Sequence, residues 1–79
     1  MSDPSPIVID ARGHRCPVPT LKLRRALEEA APGALIALIA DDPLARIDVP
    51  HFAGQVGAEV VEQTDEGAAR RFLVRKAGA

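Results

Sequence analysis

The chain has 79 residues, 47% of them hydrophobic and 27% charged, with a formal net charge of -1 at pH 7. That length suits one domain spanning residues 1–79, with a thin core that buries roughly 60% of the unfolded surface, and it leaves no room for separate catalytic and substrate domains. With no Trp or Tyr and only Phe52 and Phe72 as aromatics, the chain lacks the basic groove and stacking rings of a single-strand binder, so direct nucleic-acid binding is not expected.

The opening stretch, MSDPSPIVID, has neither the basic start nor the apolar run of a secretory leader. No apolar segment approaches the ~20 residues that span a bilayer. A cytoplasmic protein without membrane association is the expectation, and a lone cysteine, Cys16, agrees with a reducing compartment.

PIVID, from Pro6 to Asp10, is short and β-branched and reads as a strand. ARGHRCP carries Gly13 and Pro17 and reads as a loop. From Pro19 to about Ala31 the pattern is helical, with Leu23, Ala26, Leu27 and Ala30 at the spacing of one buried face, and Pro32-Gly33 ends it. ALIALIA, Ala34 to Ala40, is a nearly all-apolar strand and should be central. In DDP, Asp42 should cap a short helical turn that starts at Pro43; Asp48 and Pro50 should then restart a helix through about Val56, stopped by Gly57. AEVVEQT and ARRFLVRK read as strands, with Asp65 to Gly67 turning between them. The order β-α-β-α-β-β calls for a parallel, right-handed first unit and an antiparallel hairpin at the end. The expected fold is an α/β (α+β) two-layer sandwich, a four-stranded mixed sheet with two helices on one face.

The loop holding Cys16 carries the chemistry. The free N–H groups of a helix start are partly positive, and Arg12, His14, Arg15, Lys22, Arg24 and Arg25 all lie close in sequence, with no acidic residue from Arg12 to Ala26. Thiols so placed fall from about 8.5 to roughly 3.5–7.5, so an exposed, readily ionised Cys16 is expected. The prolines leave two readings of the helix start. Either Pro17 is the first helical residue and Cys16 its cap, or Pro19 is first and Val18 the cap, with Cys16 on the loop outside. In both, the backbone can offer the sulfur only the Val18, Thr20 and Leu21 N–H groups. Arg24/Glu28 and Arg25/Glu29 are i,i+4 pairs with the base first, the weaker orientation, which opposes the helix dipole. The cations at the thiol end are therefore read as serving an anionic sulfur or an acidic partner. Leu21 falls among Lys22, Arg25 and Glu28 on a helical wheel, and is expected to be an exposed apolar contact beside the thiol.

Other chemistries fit less well. One Cys and two distant His, His14 and His51, do not make a zinc site, and no metal is expected. A cysteine hydrolase would need an orienting group behind His14. A cysteine phosphatase loop would need arginine where Lys22 stands. There is no CxxC pair. One exposed nucleophile with no internal resolving thiol suits a carrier: it takes an activated sulfur as a persulfide and holds it until a partner thiol arrives.

DARGHRCPVP resembles the Cys-Pro-x-Pro signature of the TusA/SirA-like sulfur carriers with its preceding Asp-x-x-Gly, and LKLRRAL, PGALIALIADDP, DVPHF and GAEVVE are similar to that family in order and spacing, from about Ile7 to Lys76. The resemblance implies a βαβαββ fold, a persulfide on Cys16, positioning roles for Gly13, Pro17 and Pro19, and no bound cofactor. It implies a cysteine desulfurase or rhodanese-type sulfur donor and a downstream acceptor protein, in relays for tRNA 2-thiouridine synthesis, molybdenum cofactor assembly or sulfur oxidation. His14 departs from the family, where an aliphatic residue is common. The competing readings are a binding or regulatory module of the same fold, and a small thiol enzyme with His14 as base.

Overall fold

A computed structural model describes residues 6–15 and 17–78. The elements run β1 (Ile7–Asp10), α1 (Val18–Glu29), β2 (Leu35–Ala40), α2 (Ala45–Gln55), β3 (Glu59–Glu66) and β4 (Ala69–Arg75). The sheet order is β1-β2-β4-β3. β1 lies parallel to β2, from Ile7↔Ile36 to Asp10↔Ile39, while β4 is antiparallel to both β2 and β3, giving the expected mixed sheet. The apolar LIALIA strand is interior, as its composition requires.

The two helices share one face of the sheet, and one buried cluster joins Leu23 and Leu27 of α1, Ile36 and Leu38 of β2, Ala45 and Val49 of α2, and Phe72 and Val74 of β4. Ala26 and Ala30 pack against its edge, so the helical face read from spacing is the buried one. α1 ends ahead of Pro32, whose preceding residue avoids the α region. The Lys76 ammonium donates to the Ala30 carbonyl at 2.6 Å, satisfying an acceptor that the helix end leaves free. No helix among the described residues is long and apolar enough to cross a membrane.

Three boundaries differ from the sequence reading. α2 is one continuous helix with Pro50 inside it, rather than a turn and a restart. Ala45, Val49 and Ala53 are buried at successive i,i+4 positions, and seating that stripe on the sheet outweighs the single backbone bond that a proline cannot donate. Asp48 consequently lies in the first turn of α2, where a carboxylate suits the dipole. Asp42 does not cap α2, whose cap is Leu44 without a side-chain hydrogen bond; instead its Oδ1 accepts the Leu44 N–H at 3.0 Å across the tight turn, Ala45 N–H to Asp42 carbonyl at 3.0 Å, that leads into the helix. The hairpin turn is also shorter than read. Asp65 and Glu66 pair with Arg70 and Ala69, so the strands are joined by Gly67 and Ala68 alone. A positive φ of 65° at Gly67, with none at Ala68, is the pattern of a type II′ turn, whose twist matches the strands it joins.

Candidate functional site

The end of the sheet where β1 and β2 finish is where the chemistry-bearing residues meet. Two parallel strands, each followed by a helix, bring both strand-to-helix loops and both helix starts to the same end of the molecule. The Cys16 position lies outside the described residues, but the chain on either side of it is described.

The third boundary correction is the start of α1, which falls between the two alternatives. Pro17 is the cap, Val18 the first helical residue and Pro19 the second. Pro19 tolerates that place because its missing N–H would have no partner in the first turn. The Val18 N–H donates to the Arg15 carbonyl at 2.9 Å and the Leu21 N–H to the Pro17 carbonyl at 2.9 Å. Two of the three N–H groups considered as donors to the sulfur are therefore committed to the backbone. Pro19 is buried, anchoring the helix start in the core, and no acidic side chain stands in the first turn of α1 to neutralise its positive end.

Carboxylates reach the loop from outside it. Arg12 forms a two-pronged clasp on Asp10, Nε to Oδ1 at 2.9 Å and Nη2 to Oδ2 at 2.8 Å, and its backbone N–H donates to Oδ1 at 3.1 Å. The Arg12 side-chain hydrogen bonds, then its backbone N–H, pull the Asp10 carboxyl down to about 2. Asp10 in return raises the Arg12 guanidinium. Because the carboxyl is depressed, the clasp contributes its stabilisation fully above the ordinary carboxyl range and loses it as pH falls through about 2. A carbon-detected NMR titration is expected to show Asp10 half-protonated at about 2; a midpoint at the ordinary 3.8 would mean the clasp is absent in solution. Gly13 takes φ +83°, a left-handed conformation that L side chains rarely adopt. Its N–H donates to Asp41 in the β2–α2 loop, 3.0 Å from Oδ1 and 3.1 Å from Oδ2.

The positive charges divide into two groups. Arg24 pairs with Glu28 at 3.5 Å and Arg25 with Glu29 at 3.4 Å, along the exposed face of α1. Arg15 and Lys22 form no ion pair among the described residues and are exposed. Leu21, 54% exposed, stands beside Lys22 with Val18 also exposed. The same end carries two exposed apolar side chains that the sequence reading passed over, Leu44 at 54% and Ile47 at 68%, at the entry to α2. A continuous helix from Ala45 turns Ile47 away from the Ala45/Val49 stripe; the reading of that stretch as a broken turn concealed it. Asp10 and Asp41 were also missed. Asp10 had a visible signal, a carboxylate two residues before Arg12. Asp41 had none, since its partner Gly13 is remote in sequence.

Comparison with known proteins bears on the family and the fold. Residues 7–76 match the family model of Sulfurtransferase TusA. The chain is 38% identical over 76 residues to the sulfur carrier protein TusA of Pseudomonas paraeruginosa (strain DSM 24068 / PA7), covering 96% of each chain. It is 39% identical over 69 residues to that of Pseudomonas aeruginosa (strain LESB58), covering 87% of each. The crystal structure of a SirA-like protein from Desulfitobacterium hafniense superposes with a TM-score of 0.78 at 25% identity, over 92% of this chain and 99% of that one. A match that runs from the first strand to the end of the last, over the same layered fold and through the Cys-Pro-x-Pro loop, places this chain in the TusA family of sulfur carriers.

Proposed function

We propose that this protein is a sulfur relay protein that carries sulfane sulfur as a persulfide on Cys16, in the cytoplasm, without a bound cofactor, residues 1–79 acting as one carrier domain. The observation that carries the reading is the family match over residues 7–76, which includes Cys16-Pro17-Val18-Pro19 at the start of α1. The Cys16 thiolate attacks the outer sulfur of a donor persulfide. A new S–S bond forms on Cys16, the donor's S–S bond breaks, and the donor leaves as a thiolate. An acceptor thiolate then attacks the outer sulfur on Cys16, which leaves as thiolate in turn. The two steps exchange like bonds, so no oxidant or reductant is consumed. The donor is a cysteine desulfurase or a rhodanese-type protein, and the acceptor a protein thiol of a tRNA 2-thiouridine, molybdenum cofactor or sulfur-oxidation pathway.

The helix start supplies positive potential to the thiolate, and Gly13, Pro17 and Pro19 set the path of the chain on either side of it. Docking falls to Leu21 and the cations around it. Arg12, Arg24 and Arg25 share their charge with Asp10, Glu28 and Glu29, so Arg15 and Lys22 supply the unshared charge that meets an acidic partner surface. The test is intact mass after incubation with a cysteine desulfurase and cysteine. A gain of one sulfur, removed by reductant, supports the carrier. No gain on an accessible, reduced thiol favours a binding module, and turnover of a small substrate without a protein acceptor favours a thiol enzyme.

Lys22→Glu is expected to slow loading from the donor several-fold, with a loss that shrinks at high salt, because exposed charge acts on encounter rate and is screened. Stability should change by no more than about 0.5 kcal/mol, as for surface substitutions in general. Unchanged loading kinetics at low salt would remove Lys22 from the docking surface.

A further inference from the structure

We propose that Asp41 is a positioning residue for the Cys16 thiol, an inference that rests on the carrier reading and deepens it. The ladder between β1 and β2 continues past the strand ends, with the Ala11 N–H donating to the Ile39 carbonyl at 2.8 Å. One step further, two residues along each chain, Gly13 meets Asp41. Here the acceptor is the Asp41 carboxylate, with both oxygens within 3.1 Å of the Gly13 N–H. The side chain thus extends the sheet's grip by one step into a loop whose backbone has already turned away. Gly13 is at φ +83°, and the His14 N–H closes back on the Ala11 carbonyl at 3.3 Å.

The consequence is a short tether held at both ends. Upstream, Gly13 is tied to the β2–α2 loop. Downstream, Pro17 caps α1 and the Val18 N–H holds the Arg15 carbonyl at 2.9 Å. Cys16 lies between these two anchors, so the reach of its sulfur depends on where Asp41 holds Gly13. Asp41 forms no ion pair among the described residues and is exposed, and its charge also acts on the Arg12 guanidinium of the same loop.

The test compares wild type, Asp41→Ala and Asp41→Asn. Gly13 amide exchange reports the tether, thermal melting the fold, and single-turnover sulfur transfer the function. Asp41→Ala should melt like wild type, lose protection at Gly13, and transfer sulfur about tenfold more slowly or worse, since small displacements of a reacting group carry losses of that order. Asp41→Asn keeps a carbonyl acceptor and should recover most of the rate, which a purely electrostatic role for the carboxylate would not allow. Wild-type transfer by Asp41→Ala despite an unprotected Gly13, or equal impairment of both variants, overturns the proposal. If the wild-type protein takes up no sulfur at all, the carrier reading fails separately. The tether is then judged on the rate of Cys16 alkylation by iodoacetamide: a change in Asp41→Ala that Asp41→Asn reverses supports it, and three equal rates sink it.

Discussion

Cys16→Ala is expected to abolish sulfur loading completely and leave the fold intact. The loss is total because Cys16 is the chain's sole cysteine, and neither serine nor alanine can form the S–S bond on which the relay depends. The fold should survive because the described bonds at this end of the molecule are made by other residues. They are the Asp10–Arg12 clasp, the Gly13–Asp41 tether, the Val18–Arg15 and Leu21–Pro17 backbone bonds, and the buried ring of Pro19. Mass spectrometry after donor treatment should show no added sulfur, while far-ultraviolet circular dichroism and the melting temperature stay at wild-type values. Residual one-sulfur loading of this variant would locate the acceptor elsewhere and end the proposal. A variant that loads nothing because it is unfolded would instead give cysteine a structural role.

Phe72→Ala should cost about 3–5 kcal/mol, the range for removing a buried aromatic ring. Phe72 is fully buried in the second interior strand, in register with Leu38 of β2 on one side and Gln63 of β3 on the other. It lies in the cluster that holds both helices on the sheet. Small domains have total stabilities near 5–15 kcal/mol, so the loss consumes a large fraction and should lower the melting temperature by roughly 15 °C or more. With no tryptophan or tyrosine in the chain, circular dichroism is the natural probe. A loss below about 1 kcal/mol would mean that the core collapses around the cavity and that the ring is not central. Because Phe72 is remote in role from the thiol loop, the fraction still folded should load sulfur normally, separating stability from function.

These two expectations draw on different sources. The proposal of thiol chemistry comes from one short stretch, because a cysteine next to two prolines at a helix start, among cations, is a local arrangement of charge and backbone donors. Element order and the buried face of α1 were readable for the same reason: Leu23, Ala26, Leu27 and Ala30 are spaced by the helix repeat itself. Local rules erred where packing overrode them. Pro50 reads as a breaker, yet the Ala45/Val49/Ala53 stripe carries the helix through it. Asp65 and Glu66 read as a turn, yet pairing with Arg70 and Ala69 draws them into the strand.

Periodicity, capping and turn chemistry act over a few neighbouring residues, so the chain's own order was sufficient for the fold class and the positions of its elements, and it named Cys16 as the proposed nucleophile. Contacts between remote segments carry no such local signature. That Asp41 would hold Gly13, and that Leu44 and Ile47 would be presented at the same end as the thiol loop, follow from parallel pairing of β1 with β2. Only that pairing brings two loops far apart in the chain to within hydrogen-bonding distance.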